Sequence, residues 1–523
     1  MKPSATIDVV LTRPATPYSR NIFGHFIEHF HRQVYGGLYD PGSRLSNGDG
    51  FREDVIDAMR ELAPPVVRWP GGCFVSSYHW LDGVGPTRTP HYDKAWRVTD
   101  PNTFGTREFV RWCGAIGADP YICLNAGTGT AEEMSDWVEY CNLPGGASRW
   151  SNLRAEHGNV APFAVPFWSI GNENYGSWEI GAKQAPEWAA LVRETAKMIR
   201  RVDESAHLIT AARADLDWTL PLLAAAGPYL DAVAVHGYWD GLAEQDHPSD
   251  YLTAVGQSLK PQQDIVRTES IIEAAGFAGK ISIAFDEWNL RGWHHPSGTS
   301  SEAIAARDRN DDNSTYTMAD ALFTASFLNT CLRKADVVSM ANIAPSINTR
   351  GPLFVHADGV VRRTTFHVFA LYAKLLGERV LHSVGSGAQL AGAEVPVVDQ
   401  LATIDAAGTK ISLALINRDP ADAVDCDVQI AGRPITGRLP ATVLTGPSPD
   451  SSNEIGSTPV APVETKIQFT DGRTSLPPHS LTICHLDLPL AYNAGTIDRV
   501  PDRTGPWTLT DGGWNSFPES QRR

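Results

Sequence analysis

Two glutamates in this chain have sequence surroundings that suit chemistry by a pair of carboxyl groups. Glu173 ends the segment 167–173 and Glu287 lies within the segment 281–289, and each segment is a short apolar run that ends abruptly in polar residues. This pattern is typical of a buried parallel strand whose carboxyl end opens onto a site. A carboxylic acid at one strand end and a carboxylate at another are the groups that cleave a glycosidic bond. We therefore predict that the two side chains meet across a substrate cleft.

The distance between such carboxyl groups decides how the bond is cleaved. Retention of the anomeric configuration needs the two groups about 5–5.5 Å apart, and we expect this arrangement here. Glu287 is then the nucleophile that attacks the anomeric carbon. Glu173 is the acid that protonates the leaving oxygen and later deprotonates water. The negative charge of Glu287 is expected to raise the pKa of Glu173, which predicts that Glu173 holds its proton in the free protein.

The elements that must position these residues alternate between strand and helix. Eight short β-like runs are separated by helical patterns, which predicts an α/β fold with a (β/α)₈ TIM barrel, in which the carboxyl ends of all strands converge on one face. The predicted strands are 23–29, 66–69, 120–125, 167–173, 207–213, 231–236, 280–287 and 336–343. The predicted helices are 51–62, 106–116, 131–140, 185–202, 251–275 and 320–333.

Beyond about residue 375 the helical periodicity fades, and short strand-like runs alternate with turn residues. This texture predicts a C-terminal antiparallel β-sandwich. Its strands are expected at 400–404, 410–416, 424–430, 438–444, 464–469 and 480–486. The predicted domains are an N-terminal strand segment that joins the sandwich (1–18), the catalytic barrel (19–375), the sandwich (376–490) and a C-terminal tail (491–523). Residues 290–317 are predicted to form a long loop over the cleft.

Further polar residues stand at or just after the predicted strand ends, where a barrel brings them together. We expect Arg68 to keep Glu287 ionised, Tyr238 to orient it, and Asn172 to bond a sugar hydroxyl. His236 is a further candidate for substrate binding. The polar residues of this set are Glu28, His29, Arg68, Asn125, Asn172, His236 and Tyr238.

The composition excludes several classes of function. The chain has 523 residues and a formal net charge of −16, which argues against binding to a nucleic-acid backbone. No apolar run reaches membrane-spanning length, so no membrane partner is expected. The seven cysteines are scattered without a CxxC pair, which argues against a disulfide framework and a cysteine zinc site. The N-terminus lacks the apolar core of a signal peptide, and we predict a cytoplasmic protein.

Four segments of the chain carry a family resemblance. Through them the chain resembles the α-L-arabinofuranosidases of glycoside hydrolase family 51. The segments are 26–29 with 34–39, 68–74 continuing to 80–86, 171–173, and 285–289. Their order and spacing fit the family from the barrel into the sandwich, so the resemblance covers nearly the whole chain.

The resemblance implies roles for individual residues. Glu173 is expected to be the acid/base and Glu287 the nucleophile of a retaining exo-glycosidase that releases terminal α-L-arabinofuranosyl residues from arabino-oligosaccharides. Glu28, Cys73 and Asn172 are expected to bind furanose hydroxyls, with Tyr238 lining the same pocket. Many family members offer a glutamine after the eighth strand, and Asn348 or Arg350 is expected to replace it here. A homo-oligomer, commonly a hexamer, and catalysis without metal or organic cofactor are also implied.

Several alternatives stay open at this point. A related retaining specificity is one, namely a β-D-galactofuranosidase, a β-D-xylosidase or a β-glucanase, and a carbohydrate-binding protein without catalysis is another. The pattern His25-x-x-Glu28-His29 also fits a zinc-peptidase motif that requires a helix. Here the run is predicted as a strand, on which the two histidines lie about 13 Å apart. That is too far for two ligands of one zinc ion.

Overall fold

The computed structural model describes residues 4–240, 248–292, 300, 302 and 311–488, together with the backbone of 507–510 and 513–514. Most of the predicted loop 290–317 and most of the predicted tail 491–523 lie outside these ranges.

Eight parallel strands close into a barrel in which each strand pairs with its neighbours in chain order and the eighth pairs with the first. All eight strands coincide with predicted ones, so the predicted TIM barrel is confirmed. Their bounds are Gly24–Phe26, Val66–Trp69, Asp119–Leu124, Phe167–Ile170, His207–Ala211, Ala232–Asp240, Ser282–Arg291 and Val338–Ile343.

Most of the helices follow barrel strands. The α-helices of the described residues are Glu53–Leu62, Thr106–Ile116, Ala131–Asn142, Arg149–Glu156, Ala185–Val202, Leu216–Ala226, Tyr251–Gly256, Lys260–Ala274, Met318–Arg333 and Thr364–Leu375. The predicted helix 251–275 is two helices joined by a 3₁₀ turn, and Pro261 lies in the first turn of the second.

The helix Ala185–Val202 illustrates how the sequence specifies these elements. Its buried face includes Trp188, Val192, Ala196 and Ile199, which recur at a helical spacing of three to four residues. The side chain of Glu187 accepts a hydrogen bond from the backbone N–H of Gln184, which caps the start of the helix. The helix therefore packs against the barrel directly after the loop that carries Glu173.

The C-terminal part is rich in strands and mainly antiparallel, in agreement with the predicted fold class. The segment Ser4–Val10 pairs antiparallel with Arg379–Gly387 and parallel with Val424–Ile430, so this segment lies inside the sheet. The other strands are Thr16–Pro17, Val398–Ile404, Lys410–Asn417, Arg433–Thr445, Ala461–Phe469, Arg473–Leu476, Ser480–Asp487, Trp507–Thr510 and Gly513–Trp514. Two hairpins, His91–Asp93 with Val98–Asp100 and Leu353–His356 with Gly359–Arg362, lie outside both sheets.

Seven buried apolar residues from six barrel strands form a separate cluster inside the ring of strands. They are Val66, Tyr121, Ile209, Ala232, Ala234, Ala284 and Met340. A packed interior of this kind makes the barrel a rigid support for side chains at its carboxyl end. Among the described residues, no helix combines the length and the apolar character needed to span a bilayer.

Candidate active site

Glu173 and Glu287 approach each other at the mouth of the barrel. One carboxylate oxygen of each residue and a ring nitrogen of His236 all lie within 4.8 Å of one another. The side chains of Glu173 and Glu287 are 13% and 10% exposed, so both open onto the mouth while being largely enclosed. The two side chains therefore meet, although they are separated by more than a hundred positions in the chain.

Irregular backbone directs both residues towards the mouth. Glu173 has a left-handed φ of +43°, just after Gly171 at +72°. A side chain at Gly171 would come within 2.3 Å of Trp188, so only glycine fits there. The pairing of the sixth and seventh strands shifts register before His236, and that of the seventh and eighth shifts between Phe285 and Trp288. Such bulges turn side chains out of the regular alternation.

Both oxygens of Glu287 accept hydrogen bonds from named donors. Arg68 Nη1 lies 3.0 Å from Oε2, and the hydroxyl of Tyr238 lies 2.7 Å from Oε1. Arg68 is fully buried and also pairs with Asp286, its Nε lying 3.1 Å from Oδ2. A guanidinium and a phenol that each donate to one oxygen of the same carboxylate fix its orientation.

Glu173 is paired with an imidazole. His236 Nδ1 lies 2.9 Å from Oε1 of Glu173, and His236 Nε2 lies 3.0 Å from Oδ1 of Asp286. Burial lowers the pKa of His236, but the charges of Glu287 and Asp286 outweigh burial and raise that pKa to about 10. Burial raises the pKa of Glu173, but the hydrogen bond and charge of His236 outweigh it, and the net shift is downward.

The prediction that Glu173 holds its proton in the free protein is therefore wrong. The pKa of His236 is raised and that of Glu173 is lowered, so the pair favours a proton on the imidazole over one on the carboxyl group. The prediction considered only the repulsion between two carboxylates. The structure adds a cation between them, which reverses the direction of the pKa shift of Glu173.

Two aromatic residues that were not among the candidates also contact Glu173. The indole Nε1 of Trp178 donates to Oε2 at 2.7 Å, and the hydroxyl of Tyr175 lies 3.4 Å from Oε1. Trp178 is 65% exposed, which is unusual for so large an apolar side chain. Their position directly after the acidic residue, in the run 174–178, is the signal that identifies them in the sequence.

Glu28 occupies a buried position beside the glycine-rich segment after the second strand. Its Oε1 accepts the backbone N–H of Phe74 at 3.0 Å and the indole N–H of Trp96 at 2.9 Å. Burial, followed by the charge of Glu287, raises the pKa of Glu28 to about 8. A Cβ at Gly72 would lie 2.5 Å from both oxygens of Glu28, so glycine makes room for this carboxyl.

Asn172 and Cys73 lie on the same side of the mouth. Oδ1 of Asn172 accepts a hydrogen bond from Arg68 Nη2 at 2.9 Å, and its Nδ2 lies 3.4 Å from Oε2 of Glu179. The sulfur of Cys73 lies within 4.8 Å of carboxylate oxygens of both Glu173 and Glu179. The predicted residues Cys73 and Asn172 are thus close to the catalytic candidates, joined by Glu179, which the sequence did not single out.

Asn348 has a different environment from the other candidates. Its side chain is buried, its Nδ2 donates to the carbonyl of Arg32 at 2.5 Å, and its Oδ1 accepts the N–H of Val355 at 2.7 Å. Both polar atoms of the Asn348 side chain therefore bond main-chain groups of other segments. Of the two residues expected to replace the family's glutamine, Arg350 is the one that contacts a site residue, with its guanidinium 4.6 Å from the centre of the Tyr238 ring.

The zinc alternative is not favoured by the geometry. His25 Nδ1 lies 2.8 Å from the hydroxyl of Ser346, and His29 Nδ1 lies 2.7 Å from Asp100. Among the described residues, the two groups with enough ligand atoms for a metal ion contain neither histidine. They are Cys73 with Glu173 and Glu179, and Glu173 with His236 and Glu287.

Comparison with known proteins identifies the family. The model of the α-L-arabinofuranosidase 1 domain matches residues 58–253, and that of the α-L-arabinofuranosidase C-terminal domain matches residues 286–480. A probable α-L-arabinofuranosidase C from Aspergillus fumigatus is 34% identical over 510 residues, which covers 91% of this chain and 96% of the fungal protein. The solved GH51 α-L-arabinofuranosidase from Thermotoga petrophila is 30% identical in sequence and superposes with a TM-score of 0.82. The match covers 92% of this chain and 100% of the solved chain. This chain belongs to glycoside hydrolase family 51.

The membership confirms the resemblance found in the sequence, and this family 51 protein is a glycoside hydrolase. A further relative, named intracellular exo-α-(1→5)-L-arabinofuranosidase, from Acetivibrio thermocellus, is 34% identical over 387 residues. That match covers 69% of this chain and 74% of the relative. The related specificities and the non-catalytic alternative are not favoured by these comparisons.

Proposed function

We propose that this family 51 enzyme releases terminal α-L-arabinofuranosyl residues from arabino-oligosaccharides by a retaining mechanism, with Glu287 as nucleophile and Glu173 as acid/base. The observation that carries the proposal is the approach of the two carboxylates to within 4.8 Å, oxygen to oxygen. This separation agrees with the short distance of retaining glycosidases and leaves too little room for the water that an inverting enzyme places between the groups.

In the first step an oxygen of Glu287 forms a bond to the anomeric carbon, while the bond from that carbon to the leaving oxygen breaks. Arg68 and Tyr238 support this role because each donates to one oxygen of the carboxylate and holds it in place. The product is an ester between Glu287 and the arabinofuranosyl group.

The leaving oxygen takes its proton from Glu173, which receives it from His236. Across the 2.9 Å contact, the imidazolium–carboxylate pair and the imidazole–carboxylic acid pair differ only by a shift of one proton. Formation of the ester removes the charge of Glu287, which is the largest of the charges that raise the pKa of His236. The pair has given its proton to the leaving oxygen and, with the charge of Glu287 gone, stays unprotonated. Glu173 then takes a proton from the water that hydrolyses the ester.

Glu28, Cys73 and Asn172 are proposed to bind the hydroxyls of the furanose, with Tyr238 lining the pocket and Arg350 rather than Asn348 at its far wall. The buried carboxyl of Glu28 supports this role. Phe74 and Trp96 both donate their hydrogen bonds to its Oε1 and not to its Oε2. A hydroxyl of the sugar is a suitable partner for that oxygen.

The proposal extends to location and assembly. An intracellular location agrees with the name of the Acetivibrio thermocellus relative. A homo-oligomer, with a hexamer as the expected size, agrees with the family resemblance. Light scattering coupled to size-exclusion chromatography measures the size directly, and a monomer at micromolar concentration would contradict this part of the proposal.

Two assays test the function. In the first, initial rates are compared for aryl α-L-arabinofuranoside, β-D-galactofuranoside and β-D-xylopyranoside, and the first is expected to be hydrolysed fastest. A reversed ranking would transfer the function to the related specificity. In the second, azide is added to the Glu287→Ala and Glu173→Ala variants. The first variant is expected to yield an inverted glycosyl azide and the second a retained one, and activity near that of the unmodified enzyme in either variant would contradict the assignment.

A further inference from the structure

Glu179 is a third buried carboxyl at the barrel mouth, and the steps of the reaction described above do not use it. It is 4% exposed and lies in the loop between the acid/base and the helix Ala185–Val202. Its Oε1 accepts a hydrogen bond from the hydroxyl of Ser76, and the thiol of Cys73 bonds the same carboxylate. Nδ2 of Asn172 lies 3.4 Å from its Oε2. Two of these three partners are the residues proposed to bind sugar hydroxyls.

We propose that Glu179 is a positioning residue that sets which hydrogen-bonding groups Cys73 and Asn172 present to the sugar. The inference rests on the proposed function, since it assigns the glycone as the ligand of these two side chains. It concerns the choice of glycone and not the chemical step.

The argument follows from counting donors and acceptors. Oδ1 of Asn172 is engaged by Arg68, and one hydrogen of its Nδ2 is directed at Glu179, which leaves the second N–H as a donor for the ligand. The sulfur of Cys73 lies within 4.8 Å of a carboxylate oxygen of Glu179, and an S–H that bonds this carboxylate leaves the sulfur lone pairs as an acceptor. The carboxylate therefore fixes one donor and one acceptor on the wall of the pocket.

A carboxylate is suited to this role because all three neighbours donate to it. With an amide in its place, an N–H₂ group would face at least one of the donors of Ser76, Cys73 or Asn172, and that side chain would have to turn. Burial raises the pKa of Glu179 more than its hydrogen bonds with Cys73 and Ser76 lower it, and the net value is about 7. The donors themselves therefore favour the ionised form, which burial opposes.

The experiment compares Glu179→Gln with the unmodified enzyme on a parent glycoside and on its 2-deoxy and 3-deoxy analogues. The parent is whichever aryl glycoside of the substrate panel the enzyme hydrolyses fastest, so a different glycone would overturn the proposed function without affecting this test. In the unmodified enzyme a deoxy analogue leaves a buried polar group unpaired and is rejected strongly. In Glu179→Gln we expect kcat/KM for the parent to fall about 10-fold to 100-fold, mainly through KM. For at least one deoxy analogue, the fall in kcat/KM caused by Glu179→Gln is expected to be about tenfold smaller than the fall for the parent.

Glu187→Gln is the matched control, since it makes the same change at an exposed carboxylate on the first turn of the following helix. It should leave the ratio of parent to deoxy rates unchanged. Glu179→Asp provides a second variant, because it keeps the charge but withdraws the oxygens from Cys73 and Asn172, and it should reduce the same ratio. An equal loss for parent and deoxy substrates in both Glu179 variants would overturn the proposal, and so would unchanged kinetics. The role of Glu179 would then be only to stabilise the conformation of its loop.

Discussion

Nδ1 of His236 lies 2.9 Å from Oε1 of Glu173, while the opposite ring nitrogen lies 3.0 Å from Asp286. One imidazole thus joins the acid/base to a fully buried carboxylate that also pairs with Arg68. The proton that the leaving group needs is held by a pair of groups rather than by Glu173 alone. The apparent ionisations of the reaction should accordingly belong to the pair.

The first prediction concerns the charge of His236. Because the carboxylates around it raise its pKa to about 10, the imidazole should remain protonated at pH 8 in the free enzyme. In Glu287→Gln the largest of these charges is removed, and the pKa of His236 should fall by at least one unit, on the order of 1.4 kcal/mol. Nitrogen-15 NMR of histidine-labelled protein measures both values, and a neutral His236 at pH 8 in the unmodified enzyme would contradict the account.

The second prediction concerns the orientation of the nucleophile. Tyr238→Phe removes the donor that lies 2.7 Å from Oε1 of Glu287 and should lower kcat by about 10-fold to 100-fold, as expected for a hydrogen bond to a charged group. Tyr92→Phe is the control, because Tyr92 is 57% exposed, and it should leave kcat unchanged. Equal kcat values for Tyr238→Phe and the unmodified enzyme would remove Tyr238 from the proposed machinery.

The third prediction concerns stability and pH. The pKa of Glu28 is about 8 in the folded protein against an ordinary value of 4.5. The folded protein favours the neutral form of Glu28. The contribution of this carboxyl to the free energy of unfolding is therefore fully present below about pH 4.5 and is lost as the pH rises towards 8. The free energy of unfolding of Glu28→Gln should therefore match that of the unmodified protein near pH 4.5 and exceed it by about 4 kcal/mol at pH 8.

Denaturant titrations at the two pH values measure this difference. Glu28→Gln should also bind substrate more weakly, since it replaces a carboxyl oxygen proposed to face the sugar. A variant that is no more stable than the unmodified protein at pH 8 would contradict the prediction, because it would show that ionised Glu28 does not destabilise the fold.

The fourth prediction concerns the space that Gly72 leaves for Glu28. A methyl group at this position would lie 2.5 Å from both carboxyl oxygens of Glu28, so Gly72→Ala must displace that side chain. We expect KM to rise about tenfold with a smaller change in kcat, because the displaced group binds the sugar and not the reacting atoms. Gly114→Ala is a control at a glycine with open space around it, and it should leave KM unchanged. A normal KM for Gly72→Ala would separate Glu28 from sugar binding.

Much of the barrel and of the carboxylate pair could be predicted because parallel strands leave a local signal. Each strand reads as an apolar run that stops at polar residues, and the closed barrel then brings Glu173 and Glu287 together whatever their separation in the chain. The helix Thr364–Leu375 was not predicted, since it is buried on nearly all sides and lacks an amphipathic period. The helix Leu216–Ala226 was missed because Pro221 interrupts its pattern.

The relations between site residues were harder to predict than their identities. The contact of His236 with Glu173 depends on a register shift between two strands, and the contact of Glu179 with Asn172 depends on the path of a loop. Neither leaves a periodic pattern in the sequence. The pKa of Glu173 was predicted in the wrong direction for this reason, because it depends on the third group that lies between the two carboxylates.

The most direct test of the central claim is to trap the ester on Glu287. An aryl α-L-arabinofuranoside with a leaving group that needs no protonation is mixed with Glu173→Ala, in which the first step proceeds and the second lacks its base. Mass spectrometry of the digested protein is expected to find one anhydropentose added to the peptide that contains Glu287. Steady release of the aryl group without any such adduct, or an adduct on a different residue, would contradict the account.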